Sequence, residues 1–199
     1  DYTDSIIYSF IFGLFITFLG FVFLSRLRNS SIDQIFGILM VFTACVMAFA
    51  HGSNDTANAV GPVAAVFSTV MNEGVSTEAA VSVWLLLGGG IGIVLGLAMW
   101  GYRVIQTIGK EITKLTPTSG FAAELAAATT VVIASGNAMP ISTTHTLVGA
   151  VFGVGLAMSI KDLDFKVVGK IVASWLTTVP AGAILSMIFL TLFRYLFQI

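Results

Sequence analysis

Charge is what this chain has least of. Only 10% of its 199 residues are Asp, Glu, Lys or Arg, while 57% are hydrophobic. A soluble domain carries roughly 25% charged and 45–50% apolar residues. An ordinary water-soluble enzyme and a disordered chain are therefore both excluded. Lysine and arginine together number 9 and the net charge is −1, which leaves no basic face for nucleic acid. Cysteine is almost missing as well. Cys45 stands alone in an apolar run, so there is no disulfide framework and no thiolate metal site. Neither a His-Glu-x-x-His nor a Gly-x-Ser-x-Gly signature occurs, which argues against a hydrolase within the membrane. Ser142 and His145 lie three apart, but no orienting acid lies near them in sequence.

What is present is apolar length. The mean hydropathy is +0.99, and about 20 residues span a bilayer as a helix. The reading is an all-α polytopic membrane protein. Ser5–Ser25, Ala79–Tyr102 and Ile171–Phe193 hold no charge at all. Gln34–Asn72 holds one, Asp55, and Leu115–Ile160 holds one, Glu124. Ser5–Leu24 has the length of a full span and reads as one rather than as a signal peptide. Lysine and arginine cluster in the connections Arg26–Asp33, Gly109–Thr118 and Lys161–Lys170, whereas Met71–Glu78 has only glutamates. The first three are expected in the cytoplasm and the fourth outside. Ser5–Leu24 then runs inward, Ile35–Val70 outward, Val81–Ile108 inward and Val167–Phe197 outward. Gly120–Ile160 leaves and returns on one side as a helical hairpin. Aromatic residues near span ends, such as Trp100, Tyr102 and Tyr195, fit interfacial anchoring.

The two longest stretches are each interrupted by polar residues. The first interruption is His51-Gly52-Ser53-Asn54-Asp55-Thr56-Ala57-Asn58-Ala59, and the second is Ser135-Gly136-Asn137-Ala138-Met139-Pro140-Ile141-Ser142-Thr143-Thr144-His145. A continuous helix over Ile35–Val70 would be roughly 54 Å long, far beyond the ~30 Å hydrocarbon core. Gly52 weakens a helix, and Asn54 and Asp55 favour a cap, so a broken helix restarting at Thr56 is expected. Gly136-Asn137 reads as a stop, Pro140 breaks the ladder, and Ser142 or Thr143 can cap the next half-helix. Broken helices in lipid persist where they line a polar cavity. Their N-termini suit an anion and their C-terminal carbonyls suit a cation. An ionisable residue inside a span is costly and marks function, which singles out Asp55 and Glu124. His51 and His145 read as hydrogen-bond partners near the breaks. Gly88, Gly92 and Gly96, and Gly149 and Gly153, read as small-residue stripes for helix packing. Pro180 with Gly182 reads as a kink.

Gly52-Ser53-Asn54-Asp55-Thr56-Ala57-Asn58-Ala59 closely resembles the G-[AS]-N-D-x-A-N-[AST] signature of the PiT family of inorganic phosphate transporters. Pro140-Ile141-Ser142-Thr143-Thr144-His145 resembles the family's P-[IV]-S-[TS]-[TS]-H motif, and Gly120-Phe121-Ala122-Ala123-Glu124 its stretch with an intramembrane glutamate. Val179-Pro180-Ala181 is similar to the kink of the family's last helix. The order matches from about Ile32 to the end. The resemblance implies a transporter of two inverted repeats, each with one copy of both motifs. Only one copy occurs here, so residues 31–199 are expected to be a single repeat, its C-terminal half, with 1–30 an extra span and cytoplasmic connection.

The resemblance implies a sodium-coupled phosphate symporter of the plasma membrane, working by alternating access, with no enzymatic activity and no cofactor beyond Na⁺. Asn54, Asp55, Thr56, Ser142, Thr143 and Thr144 are expected to hold phosphate. Asp55, Asn58 and Asn137 are expected to hold Na⁺, and Glu124 and His145 to serve coupling or gating. The second repeat, the bilayer and a second copy in a homodimer are the expected partners. Proton coupling, or a metal-phosphate or sulfate substrate on the same fold, is the rival expectation. A purely structural membrane subunit is a further one.

Overall fold

The computed structural model describes residues 2–26, 30–71 and 81–197. The described residues form six α-helices and no strand. They are α1 (Tyr2–Arg26), α2 (Ile32–Met71), α3 (Val83–Gln106), α4 (Pro117–Gly136), α5 (Thr143–Met158) and α6 (Phe165–Phe197). A π-helical turn, Thr107–Glu111, prolongs α3, and a short 3-10 turn, Ile160–Asp162, precedes α6. By length and composition, α2, α4, α6 and α3 with its π turn can each cross a bilayer. Arg28 and the acidic connection after Met71 lie outside the described residues.

The first interruption does not interrupt. α2 runs through Gly52, Asn54 and Asp55 for 40 residues, about 60 Å. A single Gly costs a helix only about 1 kcal/mol, and the polar side chains here cap nothing on their own helix. They turn outward to a neighbouring hairpin. Because the helix is twice the hydrocarbon thickness, tilt or extension beyond the core must take up the excess. Pro62 lies inside it and offers no N–H to the carbonyl of Asn58. Pro180 likewise lies inside α6 without ending it.

The second interruption is real. α4 opens with a capping box between Thr116 and Ser119 around Pro117, and stops at Gly136 with Asn137 as its C-cap. Ala138 then takes φ 53°, a left-handed conformation that turns the chain back. Ser142 caps α5 through its side chain, which accepts from His145 N. The hairpin returns to the end it left. There the Asp164 amide donates to the Ile112 carbonyl at 3.0 Å. Ile112 and Leu163 are buried together with Val148 and Val151, and Val167 and Ile171 of α6 pack against them. The two lysine-bearing connections thus share one end.

α2 and α4 run parallel in a fixed register. Phe36 meets Phe121 edge-on, Thr43 meets Glu124, Met47 and Ala50 pack with Ala127, Ala128 and Val131, and Asn54 meets Ser135. Both hydrogen bonds join residues 81 apart in sequence. They are eleven residues apart along α2, close to three full turns, so they share one helix face.

The glycine stripes fall on open faces. A Cβ at Gly88, Gly92, Gly96, Gly149 or Gly153 would meet nothing within 4 Å. Between α3 and α2 the close approach is at Gly89, where a Cβ would lie 2.7 Å from Val60. Periodicity locates a small-residue face, but it does not say which neighbour arrives. The described side chains of α1 are exposed almost throughout.

Candidate functional site

The polar face of α2 meets the tip of the α4–α5 hairpin. One carbonyl orders the cluster. Asn58 donates from Nδ2 to the Ile141 carbonyl at 3.1 Å, which lies in the extended link of the break. A carbonyl only accepts, so the Asn58 amide has one possible orientation. Its Nδ2 also donates to Asn54 Oδ1 at 2.8 Å. Asn54 must then present Nδ2 to Ser135, which accepts at 2.9 Å. Asn54 is 7% exposed, and this chain of bonds satisfies both ends of its amide. The helix is thereby tied to the end of α4 and to the link beyond it.

Asp55 supplies the third tie. Its Oδ1 accepts from the hydroxyl of Thr143 at 3.0 Å, and Thr143 is 1% exposed at the first turn of α5. Its Oδ2 lies 2.8 Å from Nε2 of His51, one turn earlier on α2. The carboxylate sits beside a helix N-terminus, where partial positive charge favours it. In that first turn, His145 N is taken by the Ser142 side chain and Thr146 N by the Ser142 carbonyl. The backbone N–H groups of Thr143 and Thr144 have no acceptor among the described residues, and free N–H groups at a helix start suit an anion. The Asn58 carbonyl lacks its usual helical donor because of Pro62, and the Asn58 side-chain oxygen accepts no hydrogen bond among the described residues. Asn58 thus carries two oxygens without a hydrogen-bond donor among the described residues, one turn after Asp55 on the same helix.

The expected residues divide accordingly. Asn54 and Asn58 share one set of hydrogen bonds with Ser135 and the Ile141 carbonyl, and Asp55 and Thr143 share a second with His51, with Ser142 and Thr144 at the same helix start. Thr56 is not positioned as expected. Its amide lies inside a continuous helix, so no free helix N-terminus exists there, and its methyl group faces Gly89 of α3. Asn137 is occupied with its own helix, donating to the Ile133 carbonyl at 2.7 Å, and makes no hydrogen bond to Asp55 or Asn58. His145 lies against Trp175 of α6, ring centroids 3.9 Å apart. Glu124 is remote. Its carboxylate accepts from Thr43 at 2.8 Å, eleven residues below Asn54 on α2, about 17 Å away along the helix axis.

Sequence reasoning passed over Ser135 and the Ile141 carbonyl as partners of the Asn54–Asn58 pair, and Thr43 as the partner of Glu124. Ser135 stands in the second interruption and could have been found there. Thr43 and a backbone carbonyl carry no local signal. His51 does act as a hydrogen-bond partner, as its place beside the motif suggests.

A bundle of apolar helices, with a polar helix face joined to the tip of a helical hairpin, defines a polytopic membrane protein. Residues 5–186 match the phosphate transporter family, and the chain belongs to that family. The matched span includes α1 from Ser5 onward. The chain is 54% identical over 161 residues to inorganic phosphate transporter 2-1, chloroplastic, of Arabidopsis thaliana, covering 80% of the chain and 27% of that protein. It is 48% identical over 164 residues to sodium-dependent phosphate transporter 1-B of Xenopus laevis, covering 82% of the chain and 24% of that protein. A solved structure described as the sodium-dependent phosphate transporter superposes with a TM-score of 0.80 at 38% identity, over 89% of this chain and 46% of that one. The chain thus spans less than half the length of these relatives. Family and relatives are transporters by name, not enzymes.

Proposed function

We propose that this chain supplies half of a sodium-coupled phosphate site, completed by a second, inverted repeat. The observation that carries the proposal is the pairing of a free helix start with a carboxylate. The unpartnered amides of Thr143 and Thr144, with the Ser142 and Thr144 hydroxyls, suit phosphate oxygens. Asp55, held at 3.0 Å from the Thr143 hydroxyl, would repel that anion. Na⁺ between them resolves the conflict. The Asp55 carboxylate and the side-chain oxygen of Asn58 are the candidate ligands this chain offers to a hard cation. Asn54 and Ser135 hold those ligands in place. Asn137 remains a candidate only if the hairpin tip moves.

In this reading α2 and the hairpin move together during alternating access, because three hydrogen bonds join them across the break. Glu124 lies too far away to touch the same ion and acts in coupling from its own position. His145, against Trp175, acts in gating between hairpin and α6. The setting we propose is the plasma membrane, in a homodimer of complete transporters. A chloroplast setting is the alternative marked by the name of the Arabidopsis relative.

The test is phosphate uptake into proteoliposomes by the complete transporter, with Na⁺ replaced by choline. Uptake that requires Na⁺ supports the proposal. Uptake that is unchanged in choline and driven by a proton gradient replaces it with the proton-coupled rival.

A further inference from the structure

Glu124 is the second lone charge in an apolar stretch, and the phosphate site does not use it. Its surroundings are specific. The carboxylate lies in the seam between α2 and α4. On one side are the Phe36–Phe121 pair and the tight contact of Met40 with Gly120, where a Cβ would lie 2.6 Å from the sulfur. On the other side is the apolar cluster of Met47, Ala127, Ala128 and Val131. Neither side offers the carboxylate a donor. Thr43, 6% exposed, is its hydrogen-bond partner among the described residues, at 2.8 Å to Oε2.

Thr43 has one hydroxyl hydrogen and three acceptors in reach. Besides Glu124 these are the carbonyls of Met40 at 3.0 Å and Leu39 at 3.2 Å. Both carbonyls are on its own helix, so rotation about the Cβ–Oγ1 bond alone moves the hydrogen between partners. When the carboxylate is bare, the hydrogen belongs on Glu124, the strongest acceptor of the three. A cation on the other carboxylate oxygen leaves that bond to Oε2 in place, so Thr43 holds the carboxylate in the same orientation with and without the ion. Oε2 is thus pinned, while Oε1 accepts no hydrogen bond among the described residues and is left for the ion.

We propose that Thr43 is the positioning residue for Glu124, holding its carboxylate in the orientation in which it engages the coupling cation. This rests on the reading of Glu124 as a coupling group. Valine has nearly the shape of threonine and lacks the hydroxyl, whereas serine keeps it. In the complete transporter, Thr43→Val should raise the half-saturating Na⁺ concentration for phosphate uptake roughly tenfold or more, as expected for losing a hydrogen bond to a charged group. The phosphate half-saturation at saturating Na⁺ should stay within about twofold, and Thr43→Ser should restore the Na⁺ response. A Na⁺ titration of thermal unfolding of the purified transporter should show the same shift without transport. An unchanged Na⁺ half-saturation in Thr43→Val, alongside a changed one in Glu124→Gln, overturns the role of Thr43 and leaves that of Glu124. Unchanged Na⁺ dependence in Glu124→Gln overturns both. Equal loss of response in the valine and serine variants overturns the positioning role in favour of packing.

Discussion

Replacing Asp55 with asparagine is the sharpest perturbation of the proposed site. The side chains are nearly the same size, and the asparagine oxygen can still accept from Thr143, whose hydroxyl is 3.0 Å from Oδ1 in the native chain. The fold should therefore survive, and what changes is the charge. An anion on the Thr143 and Thr144 amides, at about 3 Å from each nitrogen, lies in the same pocket as the carboxylate. Two unit charges about 4 Å apart repel by about 4 kcal/mol at an effective dielectric of about 20. That is roughly a thousandfold in affinity, and it is the penalty that Na⁺ is proposed to remove. Without the carboxylate there is no such penalty and one cation ligand fewer. Asp55→Asn in the complete transporter should therefore abolish Na⁺-dependent uptake. Calorimetric phosphate binding should lose most of its Na⁺ dependence. Radiolabelled phosphate uptake in Na⁺ and in choline, together with calorimetry in both, measures this. Uptake that persists with unchanged Na⁺ dependence would refute the role given to Asp55.

Other outcomes follow from the same contacts. Thr143→Val removes a buried hydroxyl that bonds Asp55, so it should cost about 1–3 kcal/mol of stability and weaken phosphate and Na⁺ together; thermal unfolding and uptake read the two effects. Gly89→Val places new atoms against Val60, which a Cβ at that position approaches to 2.7 Å. It should lower the unfolding midpoint by the equivalent of about 1–3 kcal/mol, and Val60→Ala in the same chain should recover part of the loss. If the two substitutions simply add, α3 does not rest on α2 at that point.

How much of this was legible beforehand differs by element. The helices and the hairpin were visible because charge is nearly confined to the connections, and a bilayer leaves few other arrangements for apolar runs of that length. The stop after Gly136 and the restart at Ser142 were visible because capping is local chemistry, settled within a few residues. The break expected at Asn54 was not found, because the same residue types that cap a helix can also bond across to another one. At Asn54 the partner is Ser135, 81 residues away, and no local pattern announces it. The free amide expected at Thr56 is missing for the same reason: without a break that N–H lies inside the helix. Asn137 caps α4 where it was expected to bind an ion. Glu124 stood out as a lone charge, but its distance from Asp55 depends on how α2 and α4 align.

The amino-acid sequence by itself determined the solvent, the helical class, the ends of the hairpin and the residues capable of ion chemistry. These follow from composition, from short-range backbone bonding and from the cost of charge in lipid. The tertiary structure alone decided which polar groups face one another. It set the parallel register of α2 and α4, which puts two polar contacts on one face about three turns apart. It joined Asp55 to the start of α5 and left Glu124 with Thr43. A helix presents its side chains at fixed angles, but the partner that meets them is chosen by packing between segments distant in the chain. The site arises from that choice.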